Sequence, residues 1–115
     1  YFINNKWSLT SWDNFGHING AYRIDEDLNL DGLVNLDPSQ TIVTYCYTGQ
    51  TSSITTAWLD VLGFDGRSLL FGANGIVHSS MVGTSVAPKC WKGAGSGSSM
   101  NFGYYDGDGL MHDPK

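Results

Sequence analysis

The clearest pattern of residue types lies in the middle of the chain, where a short apolar run is followed by a helical repeat. Residues 41–46 (TIVTYC) are β-branched and aromatic and follow the breaker pair Pro38-Ser39, which is typical of a buried strand. Beyond the loop at residues 47–51, apolar residues recur at spacings of three and four, which predicts an amphipathic helix. The predicted buried face of this helix consists of Ile54, Ala57, Trp58, Val61 and Leu62.

Turn-forming residues mark the ends of the predicted helix and lead into a second strand. Thr51 or Ser52 is a good N-cap, and Gly63 is a natural stop just beyond the last apolar position. After a turn, residues 68–71 (SLLF) predict another short strand. A strand, a helix and a strand within about thirty residues form a βαβ unit with a parallel sheet. The sequence therefore predicts an α/β fold.

The flanking segments predict less regular structure. Residues 1–24 contain several aromatic residues and a turn-rich segment at 16–21 (GHINGA). Residues 25–40 form an acidic connection with at most one short helix. From residue 84 onwards the chain is rich in Gly and Ser, which predicts an irregular extension.

Composition narrows the classes of function. The chain has 115 residues, enough for one domain, and its 41% hydrophobic and 15% charged residues are typical of a globular protein. Only six Lys and Arg residues accompany a formal net charge of −5, which argues against nucleic-acid binding. No run approaches the roughly 18 apolar residues of a membrane span. The low Lys and Arg content and the abundance of Gly, Ser, Thr and Asn favour the periplasm or cell envelope, with the cytoplasm as the alternative.

Cys46 is a candidate reactive residue because it lies between a predicted strand and a predicted helix. Ligands of open α/β sheets bind beyond the carboxyl ends of the strands. The N–H groups of a tight loop and of a helix start stabilise an anion there, and Gly49 permits the backbone angles that such a loop needs. A thiolate in this position would have a lowered pKa and act as a nucleophile. On the residues alone, a buried structural thiol is an equally good interpretation.

Three segments resemble motifs of the rhodanese family in their order and spacing. Residues 45–53 (YCYTGQTSS) resemble the active-site loop of single-domain rhodaneses. Residues 16–21 resemble the signature Gly-His-Ile-Pro-Gly-Ala, with Asn19 in place of proline, and residues 69–75 (LLFGANG) resemble the segment after the last strand. The resemblance covers roughly residues 12–80. It implies a rhodanese-like three-layer domain, with a central parallel sheet flanked by helices.

The resemblance also predicts a domain organisation. Residues 1–83 would form the rhodanese-like domain, and residues 84–115 an irregular Gly/Ser-rich C-terminal extension. The family opens with a strand that ends in Asp-x-Arg, and residues 1–6 (YFINNK) do not show that motif. The first strand is therefore expected to be missing or altered, either by truncation or processing of a longer chain or by an unfamiliar replacement.

The function implied by the resemblance is that of a sulfurtransferase, with Cys46 as the catalytic nucleophile. Cys46 would take the outer sulfur of a donor such as thiosulfate as a persulfide and pass it to a thiophilic acceptor, which is a thiol, cyanide or a protein. No metal or organic cofactor is implied. The loop is neutral at Thr48 and Gln50, where many relatives carry a charge, so the sequence does not identify a cation for the donor. The substrate-binding cradle would be formed by the backbone of Tyr47, Thr48, Gly49, Gln50, Thr51 and Ser52.

Other functions are compatible with the same resemblance. The chain would alternatively be a non-enzymatic rhodanese-fold module that binds a partner protein, or a sulfur-relay carrier whose donor and acceptor are both proteins. Phosphatases of the same fold have a loop that is one residue longer and ends in an arginine. No arginine follows Cys46 in its loop, which disfavours that activity.

The remaining candidate sites have simpler explanations. Residues 27–34 (DLNLDGLV) copy the first half of a calcium-binding loop, but Pro38 stands where the bidentate Glu belongs, so a polar linker is favoured. Cys90 is a candidate resolving thiol, although a partly buried bystander is the favoured interpretation. Tyr45 and Trp58 are predicted to be core residues.

Overall fold

Four short strands form a wholly parallel sheet in the computed structural model of the chain. The structure describes residues 1–24, 31–76, 78–90, 104–105 and 111–112. In chain order the strands are β1 (Phe2–Asn5), β2 (Ala21–Arg23), β3 (Thr41–Tyr45) and β4 (Asp65–Ser68). Their order across the sheet is β2-β1-β3-β4. The inner strand β3 ends one residue before the predicted limit, so that Cys46 follows it directly.

Helices connect these strands and follow the last of them. The α-helices are α1 (Leu9–Phe15), α2 (Gln50–Val61) and α3 (His78–Met81). Turns of 3-10 helix lie at Asp31–Asn35, Gly72–Gly75 and Ala87–Lys89. Two further strands, β5 (Tyr104–Tyr105) and β6 (Met111–His112), pair antiparallel as a separate ribbon. Because α2 connects β3 to its parallel neighbour β4, the predicted βαβ unit and the α/β class are confirmed.

Buried side chains cover both faces of the sheet. On β3, Ile42 packs with Leu59 of α2, whereas Tyr45 packs in a second cluster with Met81 of α3. Successive side chains of a strand point to opposite faces, so these two clusters lie on opposite sides of the sheet. The predicted three-layer arrangement of a sheet flanked by helices is therefore present.

The sequence did not predict β1, although this strand lies inside the sheet between β2 and β3. Both of its asparagines are buried: Asn4 donates to the hydroxyl of Thr44 (3.4 Å), and Asn5 accepts the N–H of Trp7 (2.7 Å). Asparagine is depleted in strands, which is why the pattern of residue types conceals this one. A strand is thus present at the start of the chain, and it lacks the Asp-x-Arg motif that the resemblance led us to expect.

The buried face of α2 was predicted wrongly. Leu59 is 1% exposed, whereas Trp58, which was expected in the core beside Tyr45, is 51% exposed. The rest of the predicted face is exposed as well: Ile54, Ala57, Val61 and Leu62. The helix turns a mixed face towards the sheet: Leu59 packs with Ile42, Ser52 lies near the sulfur of Cys46, and Asp60 accepts a backbone N–H of β4.

The start of β4 also differs from the prediction, by three residues. Gly66 donates its N–H to Asp60 (2.9 Å), and a Cβ at Gly66 would lie 3.1 Å from the backbone of Thr56, so α2 packs directly on this strand. The close packing is possible because Gly66 has no side chain. It does not depend on the apolar residues that were expected to form the strand. Leu70 and Phe71, which were expected in the strand, are exposed beyond its end.

Packing against the sheet continues past residue 83. Val86 and Cys90 are buried in the same cluster as Tyr45. The division into residues 1–83 and 84–115 stays a prediction, since most of the second segment lies outside the described residues. Residues 25–30, which contain much of the candidate calcium loop, also lie outside them.

The corrected orientation of α2 predicts unequal effects of two matched substitutions. Leu59→Ala should lower the free energy of unfolding by about 2 to 5 kcal/mol, because it removes a buried side chain from the cluster with Ile42. Leu62→Ala deletes the same atoms from a half-exposed position and should cost about 1 kcal/mol or less. Urea unfolding of both variants measures the difference. Equal losses would mean that the apolar stripe of α2 is buried after all.

Candidate active site

Cys46 lies at the carboxyl end of β3, and the chain turns sharply after it before entering α2. Its side chain is 3% exposed. The N–H of Gly49 donates to the sulfur at an N···S distance of 3.2 Å, and the backbone N–H groups of Thr48 and Ser52 also face it. The loop therefore curls around one sulfur atom, as a nest of backbone N–H groups curls around an anion.

A left-handed glycine makes this loop possible. Gly49 has φ +97° and is the N-cap of α2, so the helix begins earlier than the predicted caps Thr51 and Ser52 would allow. The helix start has no side-chain cap. The hydroxyl of Ser52, which was expected to cap the helix, instead donates to the carbonyl oxygen of Gly49 (3.0 Å) and lies 3.7 Å from the sulfur of Cys46.

The surroundings of Cys46 lower the pKa of its thiol. Burial on its own raises this pKa, because it disfavours the charged thiolate. The hydrogen bonds outweigh burial: the N–H and hydroxyl of Ser52, then the N–H groups of Thr48 and Gly49, all stabilise the anion. The net effect is a lowered pKa, which increases the share of the thiolate, the nucleophilic form of cysteine.

The segment after β4 packs against the cysteine loop. It includes residues 69–75, which resemble a motif of the rhodanese family. Ala73 donates its N–H to the carbonyl of Cys46 (2.8 Å), and the side chain of Asn74 donates to the carbonyl of Tyr47 (2.7 Å). A Cβ at Gly72 would lie 2.4 Å from the Cys46 carbonyl oxygen and 2.8 Å from the nitrogen of Gly49. The two turns are therefore packed backbone to backbone.

The side chain of Tyr47 lies between the loop and the buried cluster that contains Tyr45 and Met81. Its ring stacks on Trp7 (5.0 Å between centroids), and its hydroxyl donates to Ser11 of α1. The ammonium group of Lys89 lies 4.3 Å from the centroid of the same ring. Lys89 is thus a cation beside the loop. No pattern in the sequence predicted that Lys89 would lie near Cys46.

The six residues of the predicted cradle divide into two groups. Thr48, Gly49 and Ser52 direct hydrogen bonds at the sulfur. The other three shape the loop: the carbonyl of Tyr47 binds Asn74, the side chain of Gln50 meets the hydroxyl of Thr48 at 3.5 Å, and the carbonyl of Thr51 accepts the hydroxyl of Thr55.

The sequence analysis missed Ser68 as well as Lys89. The hydroxyl of Ser68, at the end of β4, lies 2.8 Å from the hydroxyl of Ser52 and 3.4 Å from that of Ser53. Ser68 is sixteen residues from Ser52 in the sequence, so no local pattern could connect them.

The candidate resolving thiol Cys90 packs in the buried cluster that contains Tyr45. Cys90 is buried and its sulfur approaches the carbonyl of Val86 (3.8 Å), and no disulfide joins Cys90 to Cys46. Among the described residues, no cluster of three or more His, Cys, Asp or Glu could hold a metal ion. No helix within that part of the chain is long and apolar enough to cross a membrane.

Comparisons with known proteins agree with this architecture. The family model described as Rhodanese-like domain matches residues 7–77. A rhodanese-related protein from Thermoplasma volcanium is 16% identical with a TM-score of 0.61, over 69% of this chain and 78% of that chain. A protein from Bacillus halodurans is 22% identical with a TM-score of 0.56, over 64% of this chain and 56% of that chain. These two likenesses concern the fold, and a search of the curated proteins found no match.

The contact between the two turns predicts that Gly72 tolerates no side chain. Gly72→Ala combines a left-handed backbone (φ +54°) with a clash against Cys46 and Gly49, and should both destabilise the protein and slow alkylation of Cys46. Gly63→Ala is the matched control, because its φ is +89° but its Cβ would meet nothing within 4 Å. The control should lose only about 1 to 2 kcal/mol for the left-handed backbone. Urea unfolding and alkylation rates test this, and equal effects of the two variants would contradict the clash.

Proposed function

Since the chain belongs to the rhodanese-like domain family, we propose that it is a sulfurtransferase in which Cys46 carries sulfur as a persulfide. One observation supports the proposal above all. The sulfur of Cys46 lies at the carboxyl end of an inner parallel strand and receives hydrogen bonds from the amides of Thr48, Gly49 and Ser52. A structural thiol has no need of such a set of donors, whereas a nucleophilic thiolate and a persulfide anion both do.

The proposed reaction has two steps at one sulfur atom. In the first, the thiolate of Cys46 attacks the outer sulfur of thiosulfate, the S–S bond of the donor breaks, and sulfite leaves with the bonding electron pair. In the second, a nucleophilic acceptor attacks the terminal sulfur of the persulfide, and the Cys46 thiolate is the leaving group. Cyanide would become thiocyanate in this step, and a thiol would become a persulfide.

The loop amides would stabilise both anionic states of this cycle. Backbone N–H groups are fixed dipoles that need no reorganisation when charge moves from the thiolate to the terminal sulfur. The Ser52 hydroxyl, 3.7 Å from the sulfur, would add a donor when its hydrogen turns from the Gly49 carbonyl to the anionic sulfur. The hydrogen bonds lower the pKa of Cys46, so a larger fraction of the sulfur is in the nucleophilic thiolate form at a given pH.

A cation for the donor is available outside the loop. Thr48 and Gln50 are neutral, but the ammonium group of Lys89 lies against the ring of Tyr47, the residue that follows Cys46. Lys89 is exposed, so its ammonium group is accessible to an arriving anion while it lies against the Tyr47 ring. We therefore assign it the role of attracting an anionic sulfur donor such as thiosulfate.

The proposal predicts that Cys46 takes up one sulfur atom. Brief incubation of the wild type with thiosulfate should raise its intact mass by about 32 Da, as expected for a persulfide. Cyanide should reverse the gain and release thiocyanate. Cys46→Ser should show no gain, whereas Cys90→Ser should gain the same mass as the wild type, because Cys90 is buried and is not the proposed nucleophile.

Failure of sulfur uptake would distinguish the alternatives. If the wild type gains no mass from thiosulfate or from any other sulfane donor, the sulfurtransferase proposal is wrong and a non-enzymatic binding module takes its place. If a protein persulfide loads Cys46 but small donors do not, the chain is a sulfur-relay carrier.

The proposed role of Lys89 predicts a change in donor affinity. Lys89→Met should raise the KM for thiosulfate about twofold to fivefold at low salt, with little change in kcat, because an exposed charge acts mainly on the approach of the anion. Lys89→Arg keeps the charge and should retain the wild-type KM. Steady-state kinetics at two salt concentrations test this: an unchanged KM for Lys89→Met, or equal losses in both variants, would remove Lys89 from the site.

A further inference from the structure

A row of hydroxyl groups runs from the buried sulfur of Cys46 towards the surface. The Ser52 hydroxyl lies 3.7 Å from the sulfur, the Ser68 hydroxyl lies 2.8 Å from that of Ser52, and the Ser53 hydroxyl lies 3.4 Å from that of Ser68. Ser52 is fully buried and Ser53 is exposed. The hydroxyl groups of three serines from α2 and β4 thus form one hydrogen-bonded group that begins at the sulfur.

The number of hydrogens in this group limits what each hydroxyl can do. Each serine has one hydroxyl hydrogen, and the hydroxyls of Ser52 (3.0 Å) and Ser53 (2.7 Å) both lie within donating distance of the Gly49 carbonyl. When Cys46 is a neutral thiol, its S–H donates to the hydroxyl oxygen of Ser52. Ser52 is then free to donate its own hydrogen to Gly49.

An anionic sulfur requires the opposite arrangement. The Ser52 hydroxyl must now turn its hydrogen towards the sulfur, and Ser53 alone satisfies the Gly49 carbonyl. The oxygen of Ser52, which no longer accepts the S–H of Cys46, then needs another donor. Ser68 is in position to supply it at 2.8 Å.

We propose that Ser68 is a positioning residue that directs the Ser52 hydroxyl towards Cys46 when the sulfur is negatively charged. This inference rests on the proposed function, because it concerns the thiolate and persulfide states of Cys46. Ser68 is suited to the role because it is held by the sheet: it is paired with Thr44 at the end of β4. Hydrogen bonds in such a chain strengthen one another, so the effect of Ser68 reaches the sulfur through Ser52.

Charged groups on the neighbouring elements are engaged elsewhere. Asp60 of α2 binds the backbone of β4, Arg67 pairs with Asp65 at the surface (2.8 Å), and Lys89 covers the ring of Tyr47. Changing Ser68 alters none of these contacts. A change in the titration of Cys46 in Ser68 variants would therefore report the row of hydroxyl groups.

The experiment is a pH titration of the Cys46 thiolate by its ultraviolet absorbance, taken as the difference from Cys46→Ala. Ser68→Ala removes the donor to Ser52, so the thiolate should become less favourable and the titration midpoint should rise. The rate of sulfur loading from thiosulfate, measured below the midpoint, should fall about twofold to tenfold, the range expected for one hydrogen bond. Ser68→Thr keeps the hydroxyl in a residue suited to a strand and should restore both values.

Two further variants separate a positioning role from a general structural one. Thr41→Val removes a hydroxyl that binds Asp65 at the opposite end of the β3–β4 pair, and should leave the midpoint and the loading rate unchanged. In a Ser52→Ala background, Ser68→Ala should have no further effect, because the proposed role acts only through Ser52.

The inference is overturned if Ser68→Ala titrates as the wild type does, if Ser68→Thr is as impaired as Ser68→Ala, or if the effects of Ser52→Ala and Ser68→Ala add. Its failure is distinguishable from failure of the proposed function. A wild type that takes up no sulfur disproves sulfur transfer, but the titration of its thiolate still tests the role of Ser68.

Discussion

The backbone contact between two turns is the constraint on which the candidate site depends. The turn at Gly72 comes so close to Cys46 and Gly49 that a single added carbon would collide with both. Both glycines have a left-handed backbone, which other residues adopt only at a cost. Ala73 fixes the carbonyl of Cys46 on one side of the loop, so the N–H groups that follow are directed at the sulfur on the other.

This framework explains how a neutral loop stabilises an anion. Burial opposes the thiolate of Cys46, and the donors that outweigh burial are the backbone of the loop and one hydroxyl. Because these donors are fixed by the fold, the loop itself needs no charged residue, and Thr48 and Gln50 are free to be neutral. Any cation then acts from outside the loop, on the donor rather than on the sulfur.

The parts of the fold that the sequence predicted are those with a strong local pattern. The β-branched run gave β3, and Gly63 ends α2 with the expected left-handed backbone. The three wrong predictions concern β1, β4 and the buried face of α2. Each of these elements makes close contacts through polar groups or through a glycine that has no side chain. Two of the four residues of β1 are buried asparagines, and Gly66 allows α2 to pack closely on β4. A hydrophobic pattern does not register contacts of this kind, so it placed Trp58 inside and missed a central strand.

In the candidate site, too, the residues with a local sequence pattern were predicted and the others were not. The residues that surround the sulfur are consecutive in the sequence, so a strand, a cysteine, a glycine and a helix start sufficed to predict them. Ser68 and Lys89 come from other parts of the chain, and only the register of β4 and the packing around Tyr47 bring them near. The loop therefore supplies the hydrogen bonds that lower the pKa of Cys46. In our proposals, Ser68 adjusts how strongly the anion is stabilised and Lys89 attracts the sulfur donor, and only the folded chain brings these two residues to the loop.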